Sequence, residues 1–276
     1  TVEEVLDRPL RWKKPGRVFV NSMADLFHPE VPFDFIDRVF AVMALTPQHQ
    51  YQVLTKRPER MAEYLRYAVE MDNFQHELDR LTLEVEGETF AYLQVADGGW
   101  PLSNVWLGTS VEDQAAADER IGHLLRCPAA VRFLSCEPLL GAVDLADWLP
   151  WGEHDEATKI DWVIAGGESG PGARPCDLAW LRSIVDQCAG ARVPCFVKQL
   201  GARPVRANFQ GRMVPVHGED CWSCGHYDLM PCDGGGEICG RCGRANDRLR
   251  DKQGGDPGEW PEDLRVREWP ETVVTA

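Results

Sequence analysis

The feature that most limits what this chain can fold into is a recurring pattern: a short apolar run that stops abruptly at small or polar residues. Ile160 to Pro175 shows it most clearly, where Trp162, Val163, Ile164 and Ala165 give way to Gly166-Gly167-Glu168-Ser169 and then to Gly170, Gly172 and Arg174. A continuous apolar run is the mark of a parallel strand buried on both faces, and glycines just past its end permit a sharp turn and a close backbone approach. The same pattern appears at Arg17–Val20 before Asn21 and Ser22, and at Tyr51–Leu54 before Thr55, Lys56 and Arg57. It recurs at Asn104–Leu107 before Gly108-Thr109-Ser110, at Val131–Leu134 before Ser135-Cys136-Glu137, and at Pro194–Val197 before Lys198-Gln199.

Helical spacing of apolar residues fills the intervals. Phe35 to Leu45, the stretch opened by Pro58, Ala115 to Leu125, and Leu178 to Cys188 each read as a helix, with Pro58 suited to a first helical turn. Predicted strands begin near residues 17, 51, 104, 131, 161 and 194. Apart from an acidic, irregular insertion at about 69–100, the repeat is roughly 30 residues, the size of a βαβ unit. The fold class is therefore α/β, a parallel (β/α) repeat. An open doubly wound sheet and a TIM-like barrel, partial or complete, both satisfy right-handed crossovers. The barrel is favoured because nearly every strand carries polar groups at its C-terminal end, as when all the ends face one site. The main domain is predicted over 1–205, with a closing segment at 251–276.

The net charge of −15 and pI near 4.9 argue against broad attachment to phosphate backbones or anionic lipid. No apolar run reaches the length of about 20 residues that spans a bilayer, and no signal peptide opens the chain, so a cytoplasmic location is expected. The first residue is Thr1, which opens on what reads as the end of a helix, and further sequence upstream is expected.

The strand ends hold the candidate chemistry. Gly166, Gly167, Glu168 and Ser169 offer backbone N–H groups and a carboxylate able to hold an amino or hydroxyl group of a small ligand. Glu112 and Glu137 occupy equivalent places on two other strands, with Lys56, Arg57 and Lys198 supplying positive charge. Surface ion pairing alone also accounts for these charges. His28 with Cys136 does not make a convincing thiol–imidazole nucleophile. Cys127, Cys136, Cys176, Cys188 and Cys195 lack metal spacing and read as small core residues in a reducing compartment.

One metal signal stands out. Cys221 and Cys224 form one CxxC pair, Cys239 and Cys242 a second, separated by fourteen residues, with Gly225 and Gly243 following each pair. Two such knuckles supply a tetrahedral four-thiolate set for structural Zn²⁺, predicting a zinc-ribbon-like insertion at 218–247; a disulfide pair or an iron–sulfur cluster uses the same residues. Arg241, Arg244, Arg248 and Arg250 cluster beside it, either as a solvated face or as a contact for a protein or nucleic-acid partner.

The runs FVNSMADLFHPEVP, VLTKRPERM, NVWLGTSVEDQ, RFLSCEPLLG, GGESGPGARP and FVKQLG resemble a phage- and bacterium-encoded family of uncharacterised proteins (Gp37/Gp68-like), itself similar to radical S-adenosylmethionine enzymes. The resemblance implies a partial (β/α) barrel that binds S-adenosylmethionine beside a [4Fe–4S] cluster held by an upstream three-cysteine segment. It places Gly166, Gly167, Glu168 and Ser169 in the ligand pocket, lined by Ser110, Glu112 and Glu137, with Asn21, Thr55, Lys56 and Lys198 contacting cofactor or substrate. Two other readings remain: a non-catalytic zinc-containing binding module, and a metal-independent barrel enzyme using Glu112, Glu137 or Glu168 as acid and base.

Overall fold

A computed structural model describes residues 6–21, 23–71, 100–150, 159–207, 212–216, 229–231, 237–239, 245–246 and 255–270. In chain order the principal elements are β1 (Arg17–Val20), α1 (Phe33–Ala44), β2 (Gln50–Thr55), α2 (Pro58–Met71), β3 (Val105–Ser110), α3 (Gln114–Leu125), β4 (Val131–Cys136), β5 (Trp162–Gly166), β6 (Cys176–Asp177), α4 (Leu178–Ala191) and β7 (Cys195–Gln199). All six predicted strands and all four predicted helices are present, and each strand begins within a residue of its expected start.

The main sheet is parallel and runs β1-β2-β3-β4-β5-β7. Strands that follow one another in both chain and space, with no reversal, give the order of a half-barrel; a doubly wound sheet reverses at a switch point. Six strands complete this sheet among the described residues, so the complete eight-strand barrel admitted by the sequence is not what they form. Two short sheets were not foreseen: β6 with β8 (Pro204–Ala207) and β9 (Met213–Pro215), and the antiparallel β10 (Leu229–Pro231), β11 (Glu237–Cys239) and β12 (Ala245–Asn246). The expected zinc-ribbon-like module overlaps that last sheet, but Cys221, Cys224 and Cys242 lie outside the described residues, and of Cys239 only the backbone is described, at the end of β11. Most of the insertion, residues 72–99, and the arginines 241, 244, 248 and 250 also lie outside them.

The chain divides into two compact units, the first Thr1–Ser110, Asp118–Leu134 and Thr158–Ile160, the second Val111–Ala117, Ser135–Ala157 and Asp161–Ala276. In the first, Tyr64 of α2 is buried among Phe27, Phe33 and Phe40, its hydroxyl donating to Asp37 at 3.0 Å. Asn104, just before β3, donates through Nδ2 to the carbonyls of Met43, Thr46 and His49, tying the strand's entry to the end of α1. In the second, α4 starts where Asp177 accepts from the Ala179 amide and stops at Arg192, whose φ of 58° breaks the helix. The predicted closing segment pairs with β7: Val197 N–H donates to Val266, Glu268 N–H to Cys195, and Trp269 stacks against Trp162 and Phe196.

Gly108 shows how tightly the first unit is packed. A Cβ there would stand 2.5 Å from the ring of Phe133, itself fully buried. Gly108→Ala is expected to cost about 1–3 kcal/mol through overpacking. In the double variant with Phe133→Leu the two effects should not add, because the smaller side chain relieves the clash; chemical denaturation of the single and double variants checks this.

Candidate functional site

In the second unit the strand ends of β4 and β7 bring two of the predicted site residues, Glu137 and Lys198, together, and the end of β5 lays Gly166, Gly167 and Glu168 against the chain at the end of β7. Glu137, just past β4, accepts from Lys198 Nζ at 3.0 Å on one carboxylate oxygen and from Gln199 Nε2 at 2.7 Å on the other. Neighbouring strand residues normally point to opposite faces, so one carboxylate should not meet both. The ladder resolves this: Ala165 pairs with Val197 but Gly166 pairs with Gln199, leaving Lys198 as an extra, bulged residue. A bulge re-aims side chains beside a site, and this one turns Lys198 and Gln199 toward the same acid. Glu137 is 14% exposed and Lys198 58% exposed, so the acid is held from within while the ammonium faces solvent.

Gly166 and Gly167 are required by the same close approach. A Cβ on Gly166 would sit 3.1 Å from the Gln199 carbonyl, and one on Gly167 only 2.3 Å from that of Leu200. Gly201, at φ 86°, would meet the Glu168 backbone at 2.9 Å. Gly167 N–H donates to Gln199 and Ala202 N–H to Glu168. The glycines thus let the chain after β7 lie directly on the chain after β5.

Glu168 is already bound. Arg174 reaches it three ways, through its amide at 2.8 Å and through Nε and Nη2 at 2.9 Å each, closing a loop that turns at Gly170 and Gly172 with positive φ. These bonds from Arg174 hold the Glu168 carboxyl down to about 2. Ser169 beside it is exposed. Glu112 places its carbonyl on the Leu140 amide, and its charge acts on both Arg174 and Cys136.

The first unit gathers a different set. Asp25 accepts from Thr55 Oγ1 at 2.7 Å, Arg57 Nη1 at 2.7 Å, the Lys56 amide at 3.2 Å and the Phe27 amide at 2.9 Å. Thr55 in turn accepts from the Arg57 amide. Asp25 is therefore the hub that joins the loop after β1 to the turn into α2. Asn21 sits at the loop's start with φ 56°, a conformation asparagine tolerates. Ser110 is buried, its carbonyl taken by Arg120. A groove of about 500 Å³ lined by Glu59, Glu63 and Arg66 of α2 with Arg126 and Pro128 contains none of the predicted site residues.

Sequence reasoning passed over Asp25 as a site residue, Gln199 as Glu137's second anchor and Arg174 as the partner of Glu168. Asp25 and Gln199 lie within five residues of a strand end and Arg174 eight past the end of β5, a position that was the only available signal.

Metal ligands must be deprotonated, and four of the five described thiols are held the other way. Cys127, Cys136, Cys176, Cys188 and Cys195 are all buried. Burial pushes Cys127 and Cys176 up to about 12 and Cys136 higher; Cys195 is raised first by its contact with Cys188 and then by burial. Among the described residues no group of three His, Cys, Asp or Glu side chains could hold a metal ion.

Two outcomes test this geometry. A depressed carboxyl contributes stability that is complete above the ordinary glutamate range and is lost as the pH falls from there toward about 2. NMR titration should find the Glu168 midpoint near about 2 and return it to the ordinary range in Arg174→Ala. Gly167→Ala should destabilise by about 3 kcal/mol or more, since the clash is with backbone, and denaturant unfolding measures it.

Comparison with known proteins finds no curated protein and no solved structure that matches. A family model does match, over residues 1–247, and its description is a protein of unknown function, DUF5131. This chain, with its singly wound sheet and bulged β7, belongs to the DUF5131 family.

Proposed function

We propose that this protein is a radical-S-adenosylmethionine-like enzyme whose second unit binds a small molecule at the ends of β4, β5 and β7. The observation that carries the reading is the bulge at Lys198, which aims an ammonium and an amide at the Glu137 carboxylate. A strand deformed so that two successive side chains serve one acid has the form of a built polar site.

S-adenosylmethionine fits this donor set in charge. Its amino group and sulfonium call for carboxylates, which Glu137 and Glu168 supply, and its carboxylate calls for cations, which Lys198 and Arg174 supply. The cofactor brings the reactive carbon and the protein orients it. Lys198, more than half exposed, is the group free to swing from Glu137 to an incoming carboxylate. A [4Fe–4S] cluster does not fit the described residues, whose cysteines are buried and nowhere gathered in threes; the resemblance assigns its ligands to an upstream segment.

A structural zinc is proposed separately at Cys221, Cys224, Cys239 and Cys242. In its support, the second CxxC pair begins at the last residue of β11 and strand resumes at Ala245 in antiparallel register, Ile238 opposite Ala245. Emission spectroscopy on the purified chain should find about one zinc per molecule, the stoichiometry of a single four-cysteine site, reduced in Cys239→Ser. Zinc-free protein would sink this assignment.

The ligand reading is tested by calorimetry. S-adenosylmethionine should bind the chain, and Glu137→Gln should weaken it by about 10-fold or more, the cost of a charge-assisted hydrogen bond, while leaving the melting temperature close to that of the parent. If neither S-adenosylmethionine nor S-adenosylhomocysteine binds at millimolar concentration, the cofactor assignment fails. Glu112, Glu137 and Glu168 then remain as acid–base candidates of a metal-independent enzyme.

A further inference from the structure

Positive charge is not spread evenly along this chain. Residues 8–17 (RPLRWKKPGR) hold five cations, Arg8, Arg11, Lys13, Lys14 and Arg17, and none of the 44 acidic residues. All five are exposed, in a protein whose net charge is −15. Arg8 and Arg11 lie on one 3₁₀ turn, where Arg11 also pairs with the preceding Asp7. The apolar residues of that turn, Pro9 and Leu10, are half-buried, so what it shows to solvent is cationic.

Two aromatic rings accompany the charge. Trp12 is 44% exposed and Phe19 43% exposed, whereas Trp106, Trp162 and Trp260 are almost completely buried. A large ring left half in water forgoes the burial that aromatic side chains normally contribute. Trp12 is nonetheless held in place. Its ring meets that of the buried His49 edge to face, with centroids 5.5 Å apart. Gln50 N–H donates to the Gly16 carbonyl and Arg17 stands opposite Gln50, which fixes this stretch at the entry of the β1–β2 ladder. Arg17 and Phe19, two residues apart on β1, project to one face, and it is the exposed one. Among the described residues β1 is the edge strand of the main sheet. Cations and rings therefore follow one another along one exposed length of chain, from the turn into β1.

We infer that this stretch is a contact surface for single-stranded nucleic acid, with the cations on phosphates and Trp12 and Phe19 stacking on bases. A single strand offers phosphates and open base faces together, and an aromatic ring accepts the face of any base. A duplex keeps its base faces within its own stack and would use the cations alone. Anionic membranes are met by amphipathic helices with a broad apolar face. Here the neighbouring apolar residues are half-buried and residues 12–16 are not helical. The net charge limits the reach of the surface: at long range the acidic chain opposes a polyanion, and the local cations govern only within the screening distance of about 8 Å. Contact is thus confined to a few nucleotides. It lies wholly in the first unit and uses none of the strand-end residues of the second, so it does not rest on the cofactor reading.

Fluorescence anisotropy with labelled oligothymidylate of about 12 nucleotides, within the range of known single-strand sites, tests this beside an abasic strand with the same number of phosphates. Oligothymidylate contains no purine, amino acid or sulfonium, so it does not report on S-adenosylmethionine binding. The parent protein should bind oligothymidylate about fivefold or more tightly than the abasic strand, the effect of one stacked base. The logarithm of affinity should fall with the logarithm of salt at a slope no steeper than about −3.5, the limit for five phosphate contacts on a single strand. Lys13→Gln with Lys14→Gln should flatten that slope by about 1.4 and leave the melting temperature unchanged. Trp12→Ala should remove the preference over the abasic strand, and Trp12→Phe should keep most of it, a contrast that a general loss of stability does not produce. Phosphatidylserine vesicles should not compete. Absence of oligothymidylate binding, equal binding of the abasic strand, a slope untouched by the lysine substitutions, or displacement by the vesicles would each overturn the inference.

Discussion

The second unit depends on how closely the chain after β7 lies on the chain after β5. Gly166, Gly167 and Gly201 have no side chains because backbone carbonyls occupy the space where a Cβ would go. That contact is held by hydrogen bonds from the Gly167 amide to the Gln199 carbonyl and from the Ala202 amide to the Glu168 carbonyl. Two consequences follow from the one constraint. The ladder must absorb an extra residue, which makes the bulge at Lys198, and the loop leaving Glu168 must turn back on itself, which brings Arg174 onto the Glu168 carboxylate. Placement of the charged groups is therefore a product of packing, and the site inherits its precision from backbone contact rather than from the side chains themselves.

Polar residues at strand ends do two jobs here, and burial separates them. Thr55 and Thr109 are almost fully buried: Thr55 bonds Asp25, and Thr109 donates to the Thr55 carbonyl. They join neighbouring elements and have no reach left for a ligand. Lys198, Arg174 and Ser169 are exposed and can meet one. Glu137 lies between, anchored on two sides and slightly open, the condition of a carboxylate oriented before anything binds. Preorganisation of this kind removes part of the ordering cost from the binding step.

The sheet was legible because its signal is local. A buried parallel strand must be apolar along its whole length, and a repeat of βαβ size leaves little freedom in order or handedness. Pro58 marked the start of α2 for an equally local reason, its fixed φ and missing donor. The site was legible only as a set of positions. That Glu137 meets both Lys198 and Gln199 depends on a register shift set by glycines about thirty residues away in the chain, and period-two alternation argues against it. Glu168 read as an open carboxylate because the loop's return through Gly170 and Gly172 is a three-dimensional event. Asp25 could not be told from any other loop acid, since its partners Thr55 and Arg57 come from the next unit of the repeat.

The acidic character of the chain bears on how such a site selects its ligand. A net charge of −15 repels polyanions at long range, so a molecule with several phosphates is disfavoured before it arrives. Beyond roughly 8–10 Å that field is screened at physiological salt, and the local balance governs. At the strand ends of the second unit two carboxylates, Glu137 and Glu168, are each already paired with a cation, with the charge of Glu112 nearby. A zwitterion with matching charges can exchange partners with both pairs and leave no ion unpaired, whereas a ligand of one sign strands a partly buried charge. At the proposed site, charge selection would follow from ion pairs that are already complete in the free protein.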